Sequence, residues 1–483
     1  MAVRNGQAFI NGLKDGREVW YNGVRVEDVT TFPEFEASIK TLASLYDMQH
    51  DPAHRDVLTV ESTEIGEIIS RSYQIPQTQD DLRLLRETYV KNAEATCGMM
   101  GRSPDFLNIM VAALAAKRSF FAEFSEERAN ALENYYHYLA KNDLFLTHAL
   151  ISPQLDKSKA RHEQVDPDID LKVIDKNSEG IIVHGIKRIA TAAPYADELL
   201  VWPFPPGFQS GEEPYANVFA IPMNTPGLKT ICRSSFASHG NTTDHPLSSR
   251  FDEMDATLVF DNVLVPWNRV FLHEDITFLN RMYKDTRMRE LTAHQTNVRL
   301  EVKLGFLYAV ALKMAQATGV ADRPDMMEKL GEAAVKVEVI RNATRSAEAQ
   351  ATLDPENGVL YPDLTALQTG RALGPVYYPA MLDLIKLAGG GGLIQLPVSM
   401  SEFDSPIGVD LEKSLRGADI SGLDKAKLMK LAWDVCGSEF GSRHELYEKN
   451  YAGERRGVLM GIQREYQRKQ DRVDHLDNFM ESL

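Results

Sequence analysis

Six short strand-like runs between residues 169 and 260, with helical patterns on either side, place the strongest limit on the fold of this 483-residue chain. Gly, Pro, Asn and Asp separate the runs, which is typical of consecutive strands. The runs cover residues 169–174, 180–187, 198–202, 216–222, 228–232 and 255–260. Because no helical pattern intervenes, the sequence predicts a small antiparallel barrel or sandwich in the middle of the chain.

Long helical patterns return after residue 266. The predicted helices cover about 284–318, 323–351, 363–387 and 424–440, and long helices with short connections are typical of an up-down bundle. Four consecutive glycines at 389–392 interrupt this pattern and predict a loop with close backbone contact. A chain of this length is expected to form two or three domains. We predict a helical N-terminal domain at 1–148, a barrel or sandwich domain at 149–275 and a helical bundle with a C-terminal tail at 276–483.

A helical hairpin is predicted before the strands. Ser103, Pro104 and Asp105 predict a helix start, with a capping hydroxyl, proline at the first helical position and an acid in the first turn. This helix is expected to reach about Phe121, and a second one is expected over 125–148. A short turn between them makes the two helices antiparallel.

Arg102 and His148 are therefore expected to meet at one end of the hairpin. A cation and an imidazole beside a helix N-terminus would suit an anionic or phenolic oxygen. The alternative is structural: Arg102 pairs with a local acid, and His148 interacts with the dipole at a helix C-terminus. Spacing alone favours this structural interpretation, since buried polar residues are usually structural.

Composition excludes several classes of protein. A net charge of −16 and a pI near 5.3 argue against binding to nucleic acid or to an anionic membrane surface. There is no run of about 18 apolar residues and no secretory signal pattern. The three cysteines, Cys97, Cys232 and Cys436, are odd in number and far apart, so no disulfide framework is expected. A cytoplasmic location is the natural expectation.

Common catalytic motifs are missing, since the chain has no Walker A, His-Glu-x-x-His, Cys-x-x-Cys or Gly-x-Ser-x-Gly sequence. No Gly-x-Gly-x-x-Gly follows a strand, which argues against a Rossmann domain for NAD(P)H. Thr191, in a bend after a strand, could offer its hydroxyl to a ligand or belong to an ordinary turn. Residues 238–241 and 244–253 are expected to form a solvated loop with internal ion pairs. His294 lies in a polar patch of a bundle helix, which suits either a buried polar site or a subunit contact. Residues 436–445 would cradle a phosphate or ribityl chain, or cap a helix.

Several segments together resemble one family, the oxygenase component of two-component flavin-dependent phenol hydroxylases, typified by 4-hydroxyphenylacetate 3-monooxygenase. The segments are residues 101–105, 143–154, 190–194, 244–270 and 437–447. The resemblance extends from about Arg17 to Gly453. It implies an acyl-CoA dehydrogenase-like fold, mainly α, with a helical N-terminal domain, a β-barrel and a C-terminal four-helix bundle, assembled as a homotetramer. It also implies FAD, delivered as FADH2 by a separate NAD(P)H:flavin reductase, which agrees with the missing nicotinamide motif.

The resemblance implies a reaction in which reduced flavin and O2 form a C4a-hydroperoxide that passes its distal oxygen to an electron-rich aromatic ring. Arg102 and His148 would hold the substrate oxygen, because a cation favours phenolate and an imidazole can accept or orient the phenolic proton. Phe106 would line the substrate pocket. The residues implied to contact flavin are His148, Gln154, Lys157, Thr191, Gly437, Ser438, Glu439 and Phe440.

Two positions bear on the substrate. The family pattern often has Tyr four residues after the arginine, where this chain has Phe106. Phenylalanine has no hydroxyl, so one hydrogen bond to the substrate oxygen is lost. Chlorophenol-type relatives have a functional histidine in the first bundle helix, where this chain has His294, a candidate catalytic residue. Phenol, halophenol, nitrophenol and aminobenzoate all remain possible substrates.

Two other functions compete with hydroxylation. The 4-hydroxybutyryl-CoA dehydratase branch resembles the chain broadly, but it needs three Cys and a His for an iron–sulfur cluster. Cys97, Cys232 and Cys436 lack that spacing near Arg102. A catalytically silent flavin-binding or assembly protein is the other alternative.

Overall fold

The elements of the computed structural model follow the predicted succession of helices, strands and helices along the chain. The structure describes residues 3–153, 156–159, 161–166, 168–203, 207–237, 241–468 and 471–483. The chain divides into two compact units. The first comprises Met1–Gln295 with Leu353–Tyr361, and the second comprises Thr296–Thr352 with Pro362–Leu483. The N-terminal helices and the β-rich region thus share one unit, and the three-domain boundaries stay a prediction.

The helices of both units are numbered in chain order. They are α1 (Gly6–Gly12), α2 (Pro33–Met48), α3 (Arg55–Leu58), α4 (Gln79–Ala95), α5 (Pro104–Ala116), α6 (Arg118–Phe124), α7 (Glu126–Asn142), α8 (Ser248–Phe251), α9 (Ile276–Asp285), α10 (Met288–Ala317), α11 (Pro324–Ala349), α12 (Leu364–Gly389), α13 (Gly408–Leu415), α14 (Gly422–Cys436), α15 (Glu439–Leu446), α16 (Arg455–Arg468) and α17 (Asp471–Glu481). The four predicted long helices are confirmed as α10, α11, α12 and α14.

The strands belong mostly to the first unit. They are β1 (Glu18–Tyr21), β2 (Val24–Val26), β3 (Thr59–Ser62), β4 (Glu67–Ser70), β5 (Leu146–Ala149), β6 (Lys172–Lys176), β7 (Gly180–Thr191), β8 (Glu198–Val201), β9 (Val218–Pro222), β10 (Leu228–Cys232), β11 (Asp255–Pro266), β12 (Val270–Leu272), β13 (Thr352–Leu353) and β14 (Leu360–Tyr361). All six strand-like runs of the sequence coincide with strands, β6 to β11.

These strands do not close into the predicted barrel. Among the described residues, one sheet has the order β2-β1-β10-β11-β7-β6, and a second has the order β12-β9-β8-β5. An isolated bridge between Ile151, after β5, and Arg188 of β7 links the two sheets, but the described strands do not close into a ring. The N-terminal hairpin extends the first sheet through the parallel pair β1–β10, and β5 extends the second through its parallel pairing with β8. The middle region is therefore β-rich as predicted, but it is two open sheets.

The predicted helical hairpin is wrong in two places. The first helix is interrupted at Lys117, whose ammonium lies 2.7 Å from both Asp354 and Glu356, and it continues as α6. The second helix, α7, ends at Asn142 because Asp143 adopts the left-handed conformation with φ 49°. The chain then enters β5, so His148 lies on a strand and not at a helix end.

Ser103 occupies the predicted N-cap position of α5, but its hydroxyl does not cap the helix. It donates instead to Asp105 Oδ1, at 2.6 Å. Nearly every residue of α5 is buried, which is expected for a helix that is apolar around its whole circumference. Because α5 is fixed on all sides, the turn that precedes it has a rigid support.

None of the helices in the described part of the chain combines the length and apolar character needed to cross a membrane.

The end of α7 provides a test of the buried charge at Asp143. Burial raises the pKa of this carboxyl to about 6, and the group accepts a hydrogen bond from Gln49 Nε2 at 2.8 Å. A carboxyl with a raised folded-state pKa prefers its proton, so stability is lost as the pH rises from about 4 through 6. We predict that Asp143→Asn, which tolerates the left-handed conformation, stabilises the protein at pH 8 by up to about 3 kcal/mol.

Thermal unfolding midpoints at pH 8 and pH 5 measure this effect, and the gain should be smaller at pH 5. The exposed Asp474→Asn variant on α17 is the matched control and should leave both midpoints unchanged. A gain at pH 5 equal to that at pH 8 would contradict the prediction.

Candidate active site

Arg102, Phe106 and His148 come together in the first unit. The Arg102 guanidinium lies over the Phe106 ring, with Cζ 4.3 Å from the ring centroid, and its Nη1 donates to the Gly101 carbonyl at 3.0 Å. The Phe106 and His148 ring centroids are 6.3 Å apart. The backbone N–H of Arg102 donates to Glu253 Oε1 at 2.5 Å, which fixes the turn that precedes α5. Arg102 and His148 thus both lie near Phe106, although a strand and not a helix brings His148 there.

The strand β5 positions the imidazole. His148 pairs with Leu200 in the parallel β5–β8 ladder, and its ring stacks on Trp202 with centroids 5.6 Å apart and planes 24° apart. The indole N–H of Trp202 donates to the Tyr283 hydroxyl. Sequence reasoning did not single out Trp202. The sequence shows only that Trp202 ends a predicted strand. This position does not reveal that its indole will stack on the His148 imidazole.

His148 is a neutral base in this environment. Burial, together with the positive charge of Arg102, lowers the pKa of His148 well below its ordinary value. Its Nδ1 is buried and has no hydrogen-bond partner in the described part of the chain. A neutral imidazole carries one N–H donor and one acceptor lone pair. With the proton on Nε2, the Nδ1 lone pair can accept a hydrogen bond from a ligand hydroxyl.

Thr191 lies next to the His148 strand. It ends β7, and Ala192 follows in the left-handed conformation with φ 65°, which forms the predicted bend. The Thr147 hydroxyl donates to the Thr191 carbonyl oxygen at 2.6 Å, so β5 and β7 are joined at this point. The Thr191 hydroxyl donates to Asp255 Oδ1 at 2.8 Å.

The segment 244–253 is not the solvated loop that the sequence predicts. Most of its residues are buried, among them Asp252 and Glu253. Arg233 explains why these acids can be buried: its Nη2 donates to Asp252 Oδ1 at 2.6 Å, and its Nε donates to Asp255 Oδ2 at 3.1 Å. Buried carboxylates are tolerated where a cation and hydrogen bonds compensate them.

His294 is buried, and its ring lies edge-on to Tyr89 with centroids 5.7 Å apart. The next residue, Gln295, donates through Nε2 to Asp105 Oδ2 at 3.3 Å. Burial raises the pKa of Asp105. The start of α10 therefore packs near the start of α5, which carries Phe106. A catalytic role for His294 stays a prediction.

Two further predicted flavin contacts belong to the region after β5. Lys157 is exposed in a turn, and Gln154 lies outside the described residues. In the described part of the chain, no group of three or more His, Cys, Asp or Glu side chains is arranged to hold a metal ion. Cys97, Cys232 and Cys436 are free thiols.

Comparison with protein families gives a match over almost the whole chain. Residues 5–272 match the family described as 4-hydroxyphenylacetate 3-hydroxylase N terminal, and residues 279–481 match its C-terminal counterpart. The chain belongs to the 4-hydroxyphenylacetate 3-hydroxylase family.

Curated relatives in this family carry monooxygenase names. The chain is 40% identical over 453 residues to a 4-hydroxyphenylacetate 3-monooxygenase oxygenase component of Thermus thermophilus, covering 94% of this chain and 92% of that one. It is 35% identical to a protein of the same name from Escherichia coli, covering 96% and 89%. It is 34% identical to a 4-nitrophenol 2-monooxygenase oxygenase component of Rhodococcus, covering 94% and 86%.

Solved structures confirm the fold. The oxygenase component HpaB of 4-hydroxyphenylacetate 3-monooxygenase, complexed with FAD and 4-hydroxyphenylacetate, matches with a TM-score of 0.93 and 38% identity over 100% of both chains. An archaeal 4-hydroxybutyryl-CoA dehydratase from N. maritimus matches with a TM-score of 0.89 at 20% identity, covering 99% of this chain and 95% of that one. The second likeness shows the fold alone, and the acyl-CoA dehydrogenase-like expectation is confirmed.

In the second unit, the family resemblance points to the residues at the start of α15. Ser438 caps this helix: its Oγ accepts from the Gly441 N–H at 3.0 Å and donates to the Asp434 carbonyl oxygen at 2.5 Å. Gly437 and Glu439 are exposed. The capping interpretation of this segment is therefore observed, and contact with flavin stays a prediction.

A buried cluster of charged side chains packs next to Phe440 and His444 of the same helix. Phe440 is buried, with its ring centroid 4.3 Å from that of His444, whose Nδ1 lies 3.2 Å from Lys303 Nζ. Lys303 Nζ and Arg299 Nη1 both donate to Glu448 Oε1, at 2.9 and 2.7 Å. Burial alone would raise the pKa of Glu448, but the two cations lower it to about 2. Sequence reasoning missed this cluster. The pattern that could have indicated it is Arg299 and Lys303, two cations one turn apart on a helix predicted to be buried.

Proposed function

We propose that this member of the 4-hydroxyphenylacetate 3-hydroxylase family is the oxygenase component of a two-component system that hydroxylates a phenolic ring, using FADH2 and O2. The observation that carries the proposal is the cluster of Arg102, Phe106 and a neutral His148. The names of the relatives support it, as does the solved relative that holds FAD and 4-hydroxyphenylacetate together.

The cluster suits a phenolic oxygen on chemical grounds. A phenol ionises near pH 10, and a neighbouring cation stabilises the phenolate, which is the more electron-rich ring. Arg102 provides this charge, and the Nδ1 of His148 accepts the phenolic proton or orients it. A protonated imidazole has no lone pair with which to accept a proton, so the lowered pKa of His148 is needed for this role. Phe106 and Trp202 exclude water from the ring.

The first unit offers residues that fit a flavin. His148 lies on β5, and its neighbour Thr147 donates to the Thr191 carbonyl, so Thr191 lies beside the same strand. We therefore assign flavin contact in this unit to His148, Thr191 and Lys157. Reduced flavin, when bound, supplies the activation of O2.

In the second unit, flavin contact falls to the residues at the start of α15, which present an exposed glycine and a helix N-terminus. They are Gly437, Ser438, Glu439 and Phe440. Gln154 completes the proposed set by resemblance.

A separate NAD(P)H:flavin reductase is the proposed partner. Curated relatives from Thermus thermophilus and Escherichia coli are named oxygenase components, and the sequence has no nicotinamide-binding motif. We place both proteins in the cytoplasm, where Cys97, Cys232 and Cys436 would persist as free thiols.

Removing Arg102 tests the function directly. With chemically reduced FAD, Arg102→Ala should lower product formation from a phenol at least about 100-fold, because the phenolate loses its counter-charge. FAD binding should persist. His148→Ala should release more H2O2 and form less product. The measurements are the amount of hydroxylated product, by mass spectrometry, and the amount of H2O2 released in the same reaction.

The exposed Arg345→Ala variant on α11 is the matched control and should retain wild-type coupling. Wild-type product yield in Arg102→Ala would overturn the proposed mechanism.

Position 106 tests the substrate class. Phe106→Tyr adds a hydroxyl to the ring that lies 4.3 Å below the Arg102 guanidinium. This hydroxyl should contribute a further hydrogen bond to the substrate oxygen, worth about 1 kcal/mol. We therefore predict a KM for 4-hydroxyphenylacetate about fivefold lower than that of the wild type.

The exposed Phe479→Tyr variant on α17 is the control, with an unchanged KM. An unchanged or higher KM in Phe106→Tyr would show that this ring does not face the substrate oxygen.

A homotetramer is the proposed assembly. The second unit exposes large apolar side chains, including Ile394, Val398 and Val409, at 81%, 89% and 65% of their surface. Exposed apolar surface of this kind marks protein interfaces. Sedimentation equilibrium should give four times the chain mass of 54.2 kDa. A monomer at micromolar concentration would refute this assembly.

A further inference from the structure

The imidazole of His148 lies against the face of an indole ring. It stacks on Trp202 with ring centroids 5.6 Å apart and planes 24° apart, and both side chains are buried. A cation within about 6 Å of an indole centroid is attracted by the negative face of the ring. A neutral imidazole has no net charge for that field to attract. The contact therefore favours a His148 that has taken up a proton.

Backbone and side-chain hydrogen bonds both fix Trp202 in this position. Its backbone N–H donates to the carbonyl oxygen of Ala149, the residue after His148 in β5, at 3.3 Å. Its indole N–H donates to the Tyr283 hydroxyl on α9. Burial raises the pKa of Tyr283, so this group stays a neutral hydroxyl. Contacts within the protein thus hold the indole face nearly parallel to the imidazole.

This contact opposes the two effects that keep His148 neutral. Burial and the charge of Arg102 both lower the pKa of His148. A base that is too weak cannot take the proton of a phenol, which ionises at about pH 10. The indole face favours the imidazolium without adding a second formal charge beside Arg102. It therefore supports proton uptake and leaves the resting imidazole neutral.

We propose that Trp202, held by Tyr283, is a positioning residue that stabilises the imidazolium of His148 when this side chain accepts the phenolic proton. The O–H bond of the phenol breaks, its electron pair stays on the oxygen, and the proton forms an N–H bond to the imidazole. This inference rests on the proposed function, in which Arg102 and His148 hold the phenolic oxygen. Trp202 and Tyr283 act on the proton through His148.

The ionisation of a bound phenol tests the inference without flavin and without turnover. The probe is 4-nitrophenol, because its phenolate absorbs visible light and its neutral form does not. The saturated complex is titrated with acid, and absorbance gives the ratio of ionised to neutral bound probe. In the wild type this ratio should reach a plateau in acid, where the complex keeps its proton and shares it between probe and His148. His148→Ala should abolish the plateau.

Trp202→Leu is the decisive substitution, since leucine keeps an apolar side chain but has no aromatic face. We expect the plateau ratio to fall about fivefold. Trp202→Phe keeps a weaker aromatic face and should lower the ratio about twofold. Tyr283→Phe removes the acceptor of the indole N–H, and the less firmly held ring should give a fall of similar size. A purely structural role would weaken probe binding and leave the ratio unchanged.

Trp20→Phe is the matched control. The indole N–H of Trp20 also donates to a side chain, Glu18 Oε1 at 2.8 Å, but it lies on β1 in the other sheet. This variant should have the plateau ratio of the wild type.

The acidity of the substrate gives a second measurement. With chemically reduced FAD, the product formed by Trp202→Leu is compared with that of the wild type for two phenols. The relative loss should be larger for 4-hydroxyphenylacetate than for 4-nitrophenol, because the nitrophenol ionises more readily and depends less on the base. Equal relative losses with both phenols would contradict the inference.

The outcomes separate the two proposals. If the wild type shows no plateau, His148 does not hold the phenolic proton, and the proposed mechanism fails. If the plateau is present and Trp202→Leu leaves it unchanged, the proposed function stands and the role of Trp202 is wrong. If Trp202→Leu does not fold, the comparison of Trp202→Phe and Tyr283→Phe with Trp20→Phe decides the question.

Discussion

Two carboxylates of one short segment, Glu253 and Asp255, hold the candidate site together. Glu253 accepts the backbone N–H of Arg102, and Asp255 accepts the hydroxyl of Thr191. Arg233 supports this segment, since it donates to the Asp255 side chain and to the Glu253 backbone carbonyl. The guanidinium thereby compensates the charge of the half-buried Asp255 carboxylate. The consequence is that the residues proposed for substrate and the residue proposed for flavin are fixed by hydrogen bonds to positions two apart in the chain.

The chemistry of the site depends on a contrast between two basic groups. Arg102 supplies a guanidinium cation, whereas burial and this neighbouring charge lower the pKa of His148 and keep its imidazole neutral. A charged imidazole would repel Arg102 and could not accept a proton. The pairing therefore supplies a fixed positive charge and a proton acceptor side by side, as hydroxylation of a phenol requires. Phe106 contributes an apolar ring next to both groups.

In the second unit, too, buried charges of opposite sign compensate one another. Arg299 and Lys303 bind Glu448 at the back of α15, and His444 links this cluster to Phe440. Removing one partner of such a cluster leaves an uncompensated buried charge, which is strongly destabilising. The start of α15 is thus held by electrostatics as well as by the Ser438 cap.

Residue patterns were enough to predict the order of helices and strands, the family and a site around Arg102 and His148, because periodicity and motifs are local properties. It did not determine that His148 lies on a strand, since a single left-handed residue, Asp143, ends the preceding helix. Nor did it determine that the 244–253 segment is buried. A run of acids is expected to be solvated unless a residue from another part of the chain, here Arg233, packs against it, and that contact arises only when the chain folds. The open sheets in place of a barrel have the same origin, because strand pairing joins residues far apart in the chain.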